Sequence, residues 1–158
     1  MNKYTIRPAK KADAAPLLEL VQALCTHTGD GIEHFDDDRF LEDAFGDDPQ
    51  FTVLVASDEA GQLGGYTLFF DAYEPSHTAR GVYISDLFVA THARQAGLGR
   101  QLIAAVAKDA KARGRSFLWL VSPNADAHPF YNKIMDVSQA LVAFALTYDA
   151  FDALAAAD

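Results

Sequence analysis

Cysteine and basic residues are scarce in this 158-residue sequence. Cys25 is the only cysteine, which excludes an intramolecular disulfide framework and a zinc site built from cysteines. Thirteen Lys and Arg stand against 22 Asp and Glu, so the formal net charge is −9. Because nucleic acids are bound largely through their negative phosphates, we expect no nucleic-acid partner. The charge favours a cationic small-molecule ligand.

Long apolar runs and metal-binding spacings are also missing. Runs such as residues 140–147 fall far short of the ~18 consecutive apolar residues that a membrane helix needs. Residues 1–7 contain no apolar core of a signal peptide. We therefore predict no membrane partner and a cytoplasmic location. The five histidines show neither an H-E-x-x-H motif nor i, i+4 spacing, so we predict no metal site.

The apolar pattern predicts one domain over residues 1–158, because no linker, repeat or low-complexity tract interrupts it. The predicted order of elements is β-α-α-β-β-β-α-β-α-β. The predicted strands are residues 4–7, 51–57, 64–71, 81 or 82 to 89, 117–121 and 141–147. The predicted helices are one capped by Asp13, then residues 39–45, 97–113 and 127–133. Hairpins combined with one parallel crossover predict an α+β fold with a mixed sheet.

One carboxylate disturbs the pattern of the central strand. Strict alternation puts Ile84, Asp86 and Phe88 on one face of the sheet, which leaves a charged group where apolar residues are expected. Asp86 therefore needs a structural or functional partner.

The junction after this strand carries the clearest chemical signal, Arg94-Gln95-Ala96-Gly97-Leu98-Gly99-Arg100. Main-chain N–H groups at a helix start, with glycines that permit close approach, form a cradle for a phosphate or pyrophosphate. The spacing fits neither a P-loop, which needs a following Lys-Ser/Thr, nor the G-x-G-x-x-G dinucleotide fingerprint. The alternative is that the two glycines only make a tight turn.

This junction resembles the Q/R-x-x-G-x-G/A signature of the GNAT acetyltransferases, through Arg94, Gly97 and Gly99. Asn124 followed seven residues later by Tyr131 resembles the second signature of that superfamily. Within it, residues 42–46, 65–66, 73–75 and 83–89 are most similar to the spermidine/spermine (diamine) N-acetyltransferases. The resemblance implies a mostly antiparallel central sheet flanked by helices and splayed at the cofactor site, with acetyl-CoA as cosubstrate and no metal.

The resemblance also implies roles for single residues. Tyr131 is the expected general acid that protonates the departing thiolate, because its hydroxyl has an ordinary pKa of about 10. The expected cofactor-binding residues are Leu87, Phe88, Val89, Arg94, Gln95, Ala96, Gly97, Leu98, Gly99, Arg100 and Asn124.

The acceptor side is less completely specified by the resemblance. In the diamine-acetylating enzymes a glutamate precedes the strand aspartate and acts as base through water, and here that position is Ser85. We expect Ser85 and Asp86 at the substrate. Glu33 and Asp36, from an acidic segment between the first two helices, are the expected mouth of the acceptor site; a purely solvating role for that segment is the alternative. Glu74 is a further candidate proton acceptor.

These features predict an N-acetyltransferase that moves acetyl from acetyl-CoA to a primary amine of a small, polyamine-like substrate by direct attack. An amino-acid, aminoglycoside or protein amine is an alternative acceptor. A coenzyme A-binding sensor without turnover and an acidic adaptor are alternative functions. Relatives in the diamine-acetylating group predict a homodimer.

Overall fold

The computed structural model describes residues 4–94 and 97–156. The chain has two compact units, Met1–Ala125 and Asp126–Asp158. The strands are Thr5–Pro8 (β1), Thr52–Ser57 (β2), Leu63–Glu74 (β3), Ala79–Val89 (β4) and Phe117–Leu120 (β5). The α-helices are Ala14–Thr28 (α1), Asp37–Phe45 (α2), Leu98–Ala112 (α3), His128–Tyr131 (α4) and Tyr148–Ala155 (α5).

The first unit is built on one five-stranded sheet in the order β1-β2-β3-β4-β5. The first four strands are antiparallel, and β5 runs parallel to β4 through the α3 crossover. The predicted α+β fold with a mixed, mostly antiparallel sheet is therefore confirmed. None of the helices in the described part of the chain has the length and apolarity needed to span a bilayer.

Helices cover both faces of the sheet. On the α1 face, Leu17, Leu20 and Val21 pack against inward-facing residues of β2 and β3. On the α3 face, Leu98 and Leu102 cluster with Ala56 of β2, and residues of β1 and β4 pack against this cluster. The residues of α3 that are buried are the ones its helical spacing predicts: Leu98, Leu102, Ile103, Val106 and Ala110.

A β-bulge changes the expected faces of β4. Leu68 pairs with Asp86 and Phe69 pairs with Ile84, so Ser85 is an extra residue on β4. Asp86 therefore lies on the α1 face and Ile84 on the α3 face. The prediction that Ile84 and Asp86 share a face was wrong, because one inserted residue reverses the alternation of side chains.

The sheet opens beside this bulge. The pairing of β4 with β5 covers only Gly81 to Ile84. In the described part of the chain, residues 86–89 of β4 are paired with β3 on one side and extend past β5 on the other. This opening agrees with the splay expected from the resemblance.

Glycines define both ends of α3. Gly97 is the N-cap residue at φ +71°, and Gly114 follows the C-cap at φ +72°. The N–H of Gly114 donates to Lys111 at 3.0 Å and the N–H of Arg115 donates to Ala110 at 2.9 Å, which is a Schellman motif. The predicted glycine cap at Gly114 is confirmed, and the helix begins one residue later than predicted.

The second unit differs from the expectation for residues 141–147. These residues form no strand, and a helix, α5, occupies the tail that follows. Their apolar side chains are largely exposed, with Phe144 93% exposed. An apolar β-forming sequence becomes a strand only when a neighbouring strand completes its ladder. The second unit, as far as residue 156, contains no strand that does so.

Candidate active site

The β4–α3 junction places main-chain donors at the start of a helix. The left-handed backbone of Gly97 turns the chain into α3, where the N–H of Gln101 donates to the Gly97 carbonyl at 3.1 Å. The first turn of α3 receives no side-chain cap from Gly97. Because the first N–H groups of a helix have no partners within it, this end attracts an anion. Among the described residues, the nearest atom to a Cβ added at Gly97 is 3.8 Å away, so they leave the surface beside it open.

Two arginines flank this helix start. Arg94 is exposed, and its Nε donates to the carbonyl of Val89 at 3.2 Å. Arg100 is exposed in the first turn of α3, Leu98 is buried beneath it, and Gly99 is half-buried. The expected cofactor residues Gln95 and Ala96 lie outside the described residues.

The open edge of β4 runs up to the same junction. The N–H of Ala90 donates to the Gly64 carbonyl at 3.0 Å. Since the residues of an antiparallel strand point their N–H and C=O groups alternately toward and away from the partner, Phe88 points its groups at β3. Leu87 and Val89 therefore point theirs away from β3, at the opening. An extended ligand arm can pair with such an edge as an added strand does.

Side chains on β4 separate the two sides of the opening. Leu87 and Val89 pack on the α3 face, against the cluster that contains Leu98. Phe88 packs on the α1 face, with its ring centroid 6.4 Å from that of His27. The structure thus brings the backbone of Leu87 and Val89 to the start of α3. The backbone groups of Phe88 point at β3 instead, and its side chain lies on the α1 face.

The bulge holds Asp86 by two hydroxyl groups. The Tyr66 hydroxyl donates to Oδ2 at 2.8 Å and the Ser85 hydroxyl donates to Oδ1 at 3.1 Å. The main-chain carbonyl of Asp86 accepts from the Thr67 hydroxyl at 2.9 Å, which fixes the bulge itself. Ser85 is exposed and Asp86 is half-buried, whereas Tyr66 is fully buried. The carboxylate is therefore anchored from the core and open toward the surface, which answers the anomaly in the sequence.

This anchored carboxylate changes the chemistry of its neighbours. Burial, then the charge of Asp86 and its hydrogen bond, raise the pKa of the Tyr66 hydroxyl far above its ordinary value. Burial, followed by the charges of Asp86 and Asp30, raises the pKa of the Cys25 thiol. Cys25 is thus kept as a thiol rather than the thiolate that a covalent acyl carrier needs.

The remaining expected residues belong to other elements of the chain. Glu33 and Asp36 are exposed in the segment before α2, and Asp36 caps that helix by accepting from the N–H of Arg39 at 2.9 Å. Asn124 is half-buried in the loop after β5. Tyr131 belongs to the second unit, where burial raises the pKa of its hydroxyl.

Tyr66 is the functional neighbour that sequence reasoning missed. The signal was present, because a tyrosine at an inward-facing strand position needs a partner for its hydroxyl, and Asp86 was a carboxylate without one. Only the bulge at Ser85 puts these two residues on the same face. Among residues 4–94 and 97–156, no group of three or more His, Cys, Asp or Glu is arranged to hold a metal ion.

Comparison with known proteins gives this arrangement a family. The model described as the acetyltransferase (GNAT) family matches residues 17–136. The chain is 28% identical over 125 residues to thialysine N-epsilon-acetyltransferase of Sus scrofa, which covers 73% of this chain and 72% of the relative. It is 34% identical over 133 residues to L-ornithine N5-acetyltransferase NATA1 of Arabidopsis thaliana, covering 82% of this chain and half of that protein.

One further relative supports the same assignment, and one solved structure shares the fold. Spermidine/spermine N(1)-acetyltransferase-like protein 1 of Homo sapiens is 29% identical over 111 residues, which is 65% of this chain and 16% of that protein. An integron cassette protein from the mobile metagenome of V. cholerae has a TM-score of 0.77 at 19% identity, covering 98% of both chains. That second similarity concerns the fold. The chain belongs to the acetyltransferase (GNAT) family and is an acetyl-transferring enzyme.

Proposed function

We propose that this protein transfers acetyl from acetyl-CoA to a primary amine of a small cationic substrate. One observation carries the proposal: beyond Ser85 the edge of β4 is open, and it runs from the anchored carboxylate of Asp86 to the start of α3. An acyl carrier at the start of α3 and an amine at Asp86 would therefore bind next to each other along this edge.

The chain fits the carrier on chemical grounds. The first turn of α3 and the exposed Arg94 and Arg100 suit a pyrophosphate, and Gly97 leaves room for it. The outward backbone groups of Leu87 and the N–H of Val89 suit an amide-bearing arm, whereas the Val89 carbonyl already accepts from Arg94. Acetyl-CoA supplies the activated thioester. In this proposal its site is completed by Gly99 and Asn124, and by Gln95 and Ala96, which lie outside the described residues.

Asp86 is the proposed anchor for the amine. The carboxylate attracts an ammonium group, and the net charge of −9 raises the local concentration of cations. The relatives support this class, since their names are those of enzymes that act on thialysine and ornithine. Glu33 and Asp36 contribute to the entrance in this proposal, as exposed carboxylates.

Attack requires a neutral amine, so a proton must leave it. We assign this step to the pair of Ser85 and Asp86, with the Ser85 hydroxyl passing the proton to the carboxylate that it already contacts. Tyr131 then gives its proton to the thiolate that departs from the tetrahedral intermediate. Its raised pKa keeps the hydroxyl protonated at neutral pH, which supports a role as acid.

The test is release of free thiol from acetyl-CoA with a panel of amines, namely ornithine, thialysine, 1,4-diaminobutane and spermidine. We expect turnover with at least one of them. Tyr131→Phe should lower kcat by about 10²-fold or more while the Kd for coenzyme A stays within 2-fold. Tyr73→Phe, which removes a hydroxyl from an exposed tyrosine on β3, is the matched control. An unchanged pH profile in Tyr131→Phe removes this residue from the mechanism.

A coenzyme A-binding sensor is the second candidate, and Ser85 is the observation that favours it, because the resembling enzymes carry a glutamate there. Tight coenzyme A binding without thiol release on any amine would support the sensor. We also propose a homodimer, to which the exposed apolar side chains of residues 141–154 contribute. Sedimentation equilibrium tests it, and a cytoplasmic location stays a prediction.

A further inference from the structure

Three aromatic side chains form a row across three neighbouring strands, with exposed rings at both ends and the half-buried Tyr83 between them. Phe70 on β3 lies 5.3 Å from Tyr83 on β4, and Tyr83 lies 5.2 Å from Trp119 on β5, measured between ring centroids. The ladders pair the three residues directly with one another. Phe70 is 42% exposed and Trp119 is 45% exposed. We call these three residues the aromatic row.

Contiguous exposed aromatic rings are uncommon on a soluble protein and mark sites of interaction. Gly81 precedes the row on β4, and a Cβ there would lie 2.5 Å from the ring of Phe117. Phe117 therefore lies over Gly81 and extends the apolar surface next to the row.

The row lies on the same face of the sheet as Asp86. On β3, Leu68 and Phe70 share the α1 face, and they pair with Asp86 and Tyr83 respectively. Two residues along a strand span about 7 Å. The row is therefore one step along the sheet from the anchored carboxylate, roughly the length of a short alkane diamine.

The charge of this surface is complementary to a cation. From Tyr66 to Glu74 on β3, and on all of β4 and β5, the register places Asp86 and Glu74 on the α1 face and no Lys or Arg. Arg80 pairs with Tyr73 and so falls on the opposite face. Aromatic faces attract ammonium groups and also pack well against methylene chains.

We propose that the aromatic row is the subsite for the distal part of the acceptor. The attacking amine lies at Asp86, the methylene chain lies over Tyr83, and the second ammonium group lies against Trp119. This inference rests on the proposed function and narrows it, because it selects amines that carry a second cationic group over simple alkylamines.

Trp119 makes the proposal directly measurable, since it is the only tryptophan in the sequence. The protein is titrated with 1,4-diaminobutane and, separately, with butylamine, without acetyl-CoA, while tryptophan emission is recorded. We expect a saturable change with the diamine and a half-maximal concentration for butylamine at least 10-fold higher. Equal responses to both amines, or silence at diamine concentrations that saturate turnover, overturn the proposal.

Variants test the same subsite by kinetics. Trp119→Leu should raise KM for 1,4-diaminobutane roughly 3- to 30-fold, leave kcat within 2-fold, and leave KM for butylamine within 2-fold. Tyr83→Leu should raise KM for both amines, because both carry the methylene chain that lies over Tyr83. Trp119→Phe, which keeps an aromatic ring, should fall between Trp119→Leu and the wild type. Tyr73→Leu is the matched control, because Tyr73 is an equally exposed aromatic residue on the other face of β3. Circular dichroism confirms that each variant is folded.

The outcomes separate this inference from the proposed function. If thiol is released but Trp119 emission does not respond to the diamine and the variants have unchanged KM values, the aromatic row is not the subsite, and the assignment of acetyl transfer to an amine stands. If Trp119 emission changes only with the diamine and no amine releases thiol, the aromatic row is supported as a diamine subsite, and the proposed acetyl transfer is refuted. Emission that changes with protein concentration alone, without amine, means that a second copy of the chain covers the row, and this also rejects the subsite.

Discussion

Two glycines at opposite ends of α3 offer a controlled test of the phosphate cradle. Gly97 and Gly114 have nearly the same left-handed backbone, at φ +71° and φ +72°. Neither position is crowded: the nearest atom to an added Cβ is 3.8 Å away at Gly97, and none lies within 4 Å at Gly114. Replacing either glycine with alanine therefore adds backbone strain without a clash.

The expected loss of stability follows from this geometry. A left-handed conformation costs alanine ~1–2 kcal/mol. The lower entropy of alanine in the unfolded chain offsets ~0.4–1 kcal/mol of that cost. The net loss is about 1 kcal/mol at either site, and it should lower Tm by about 2–4 °C in a protein of this size.

Binding of coenzyme A should distinguish the two variants. At Gly97 the new methyl group lies where the diphosphate must approach, so about one charge-assisted hydrogen bond is lost, ~1.5–3 kcal/mol. We expect Gly97→Ala to raise the Kd by about 10- to 150-fold, whereas Gly114→Ala should leave it within 2-fold. Isothermal titration calorimetry measures both constants. Equal affinities in two equally destabilised variants would refute the cradle at this helix start.

Three other substitutions test features of the core. Tyr66→Phe leaves one oxygen of Asp86 without its buried donor, and urea unfolding should show a loss of ~1.5–3 kcal/mol; a loss below 0.5 kcal/mol would contradict the anchoring role. The Arg7 guanidinium, 2.7 Å from the Asp13 carboxylate, holds the pKa of that carboxyl below its usual 3.8. The stability that this ion pair contributes is therefore present above pH 3.8 and is lost as the pH falls through the folded-state pKa. The urea midpoints of the wild type and Asp13→Asn should therefore converge as the pH falls below about 4, and a constant gap would exclude the linkage. Gly65→Ala puts a Cβ 2.6 Å from the main-chain oxygen of Phe88, and since backbone moves only with the strand, we expect a loss of ~1–3 kcal/mol, checked by thermal unfolding.

Much of the first unit could be predicted from the sequence. The five buried positions of α3 follow one helical face, and the predicted glycine cap is present at Gly114. These features depend on residues close together in the chain, so local pattern is sufficient. The cradle motif between Arg94 and Gly99 is local in the same way.

Asp13 shows the limit of local reasoning. The sequence placed it as a helix cap, and it does occupy the N-cap position of α1. Its carboxylate instead accepts two hydrogen bonds from Arg7, at 2.7 and 2.8 Å, and one from the N–H of Lys10. A charged partner brought close by the fold competes successfully with a helix N–H.

The second unit illustrates the same limit on a larger scale. Residues 141–147 have the composition of a strand, yet the structure forms none there. Strand propensity describes how a side chain suits a sheet, and the sheet must be supplied by other parts of the molecule.

The sequence alone determined the family, the helices and the glycine-rich junction, because each is encoded by short-range spacing and residue type. The tertiary structure alone decided the surroundings of Asp86. The inserted residue at Ser85 reverses the faces of β4, joins the carboxylate to Tyr66, and places it beside the aromatic row. The physical reason is that the register between strands depends on every contact along the ladder, so a single bulge redirects side chains that no local pattern can assign.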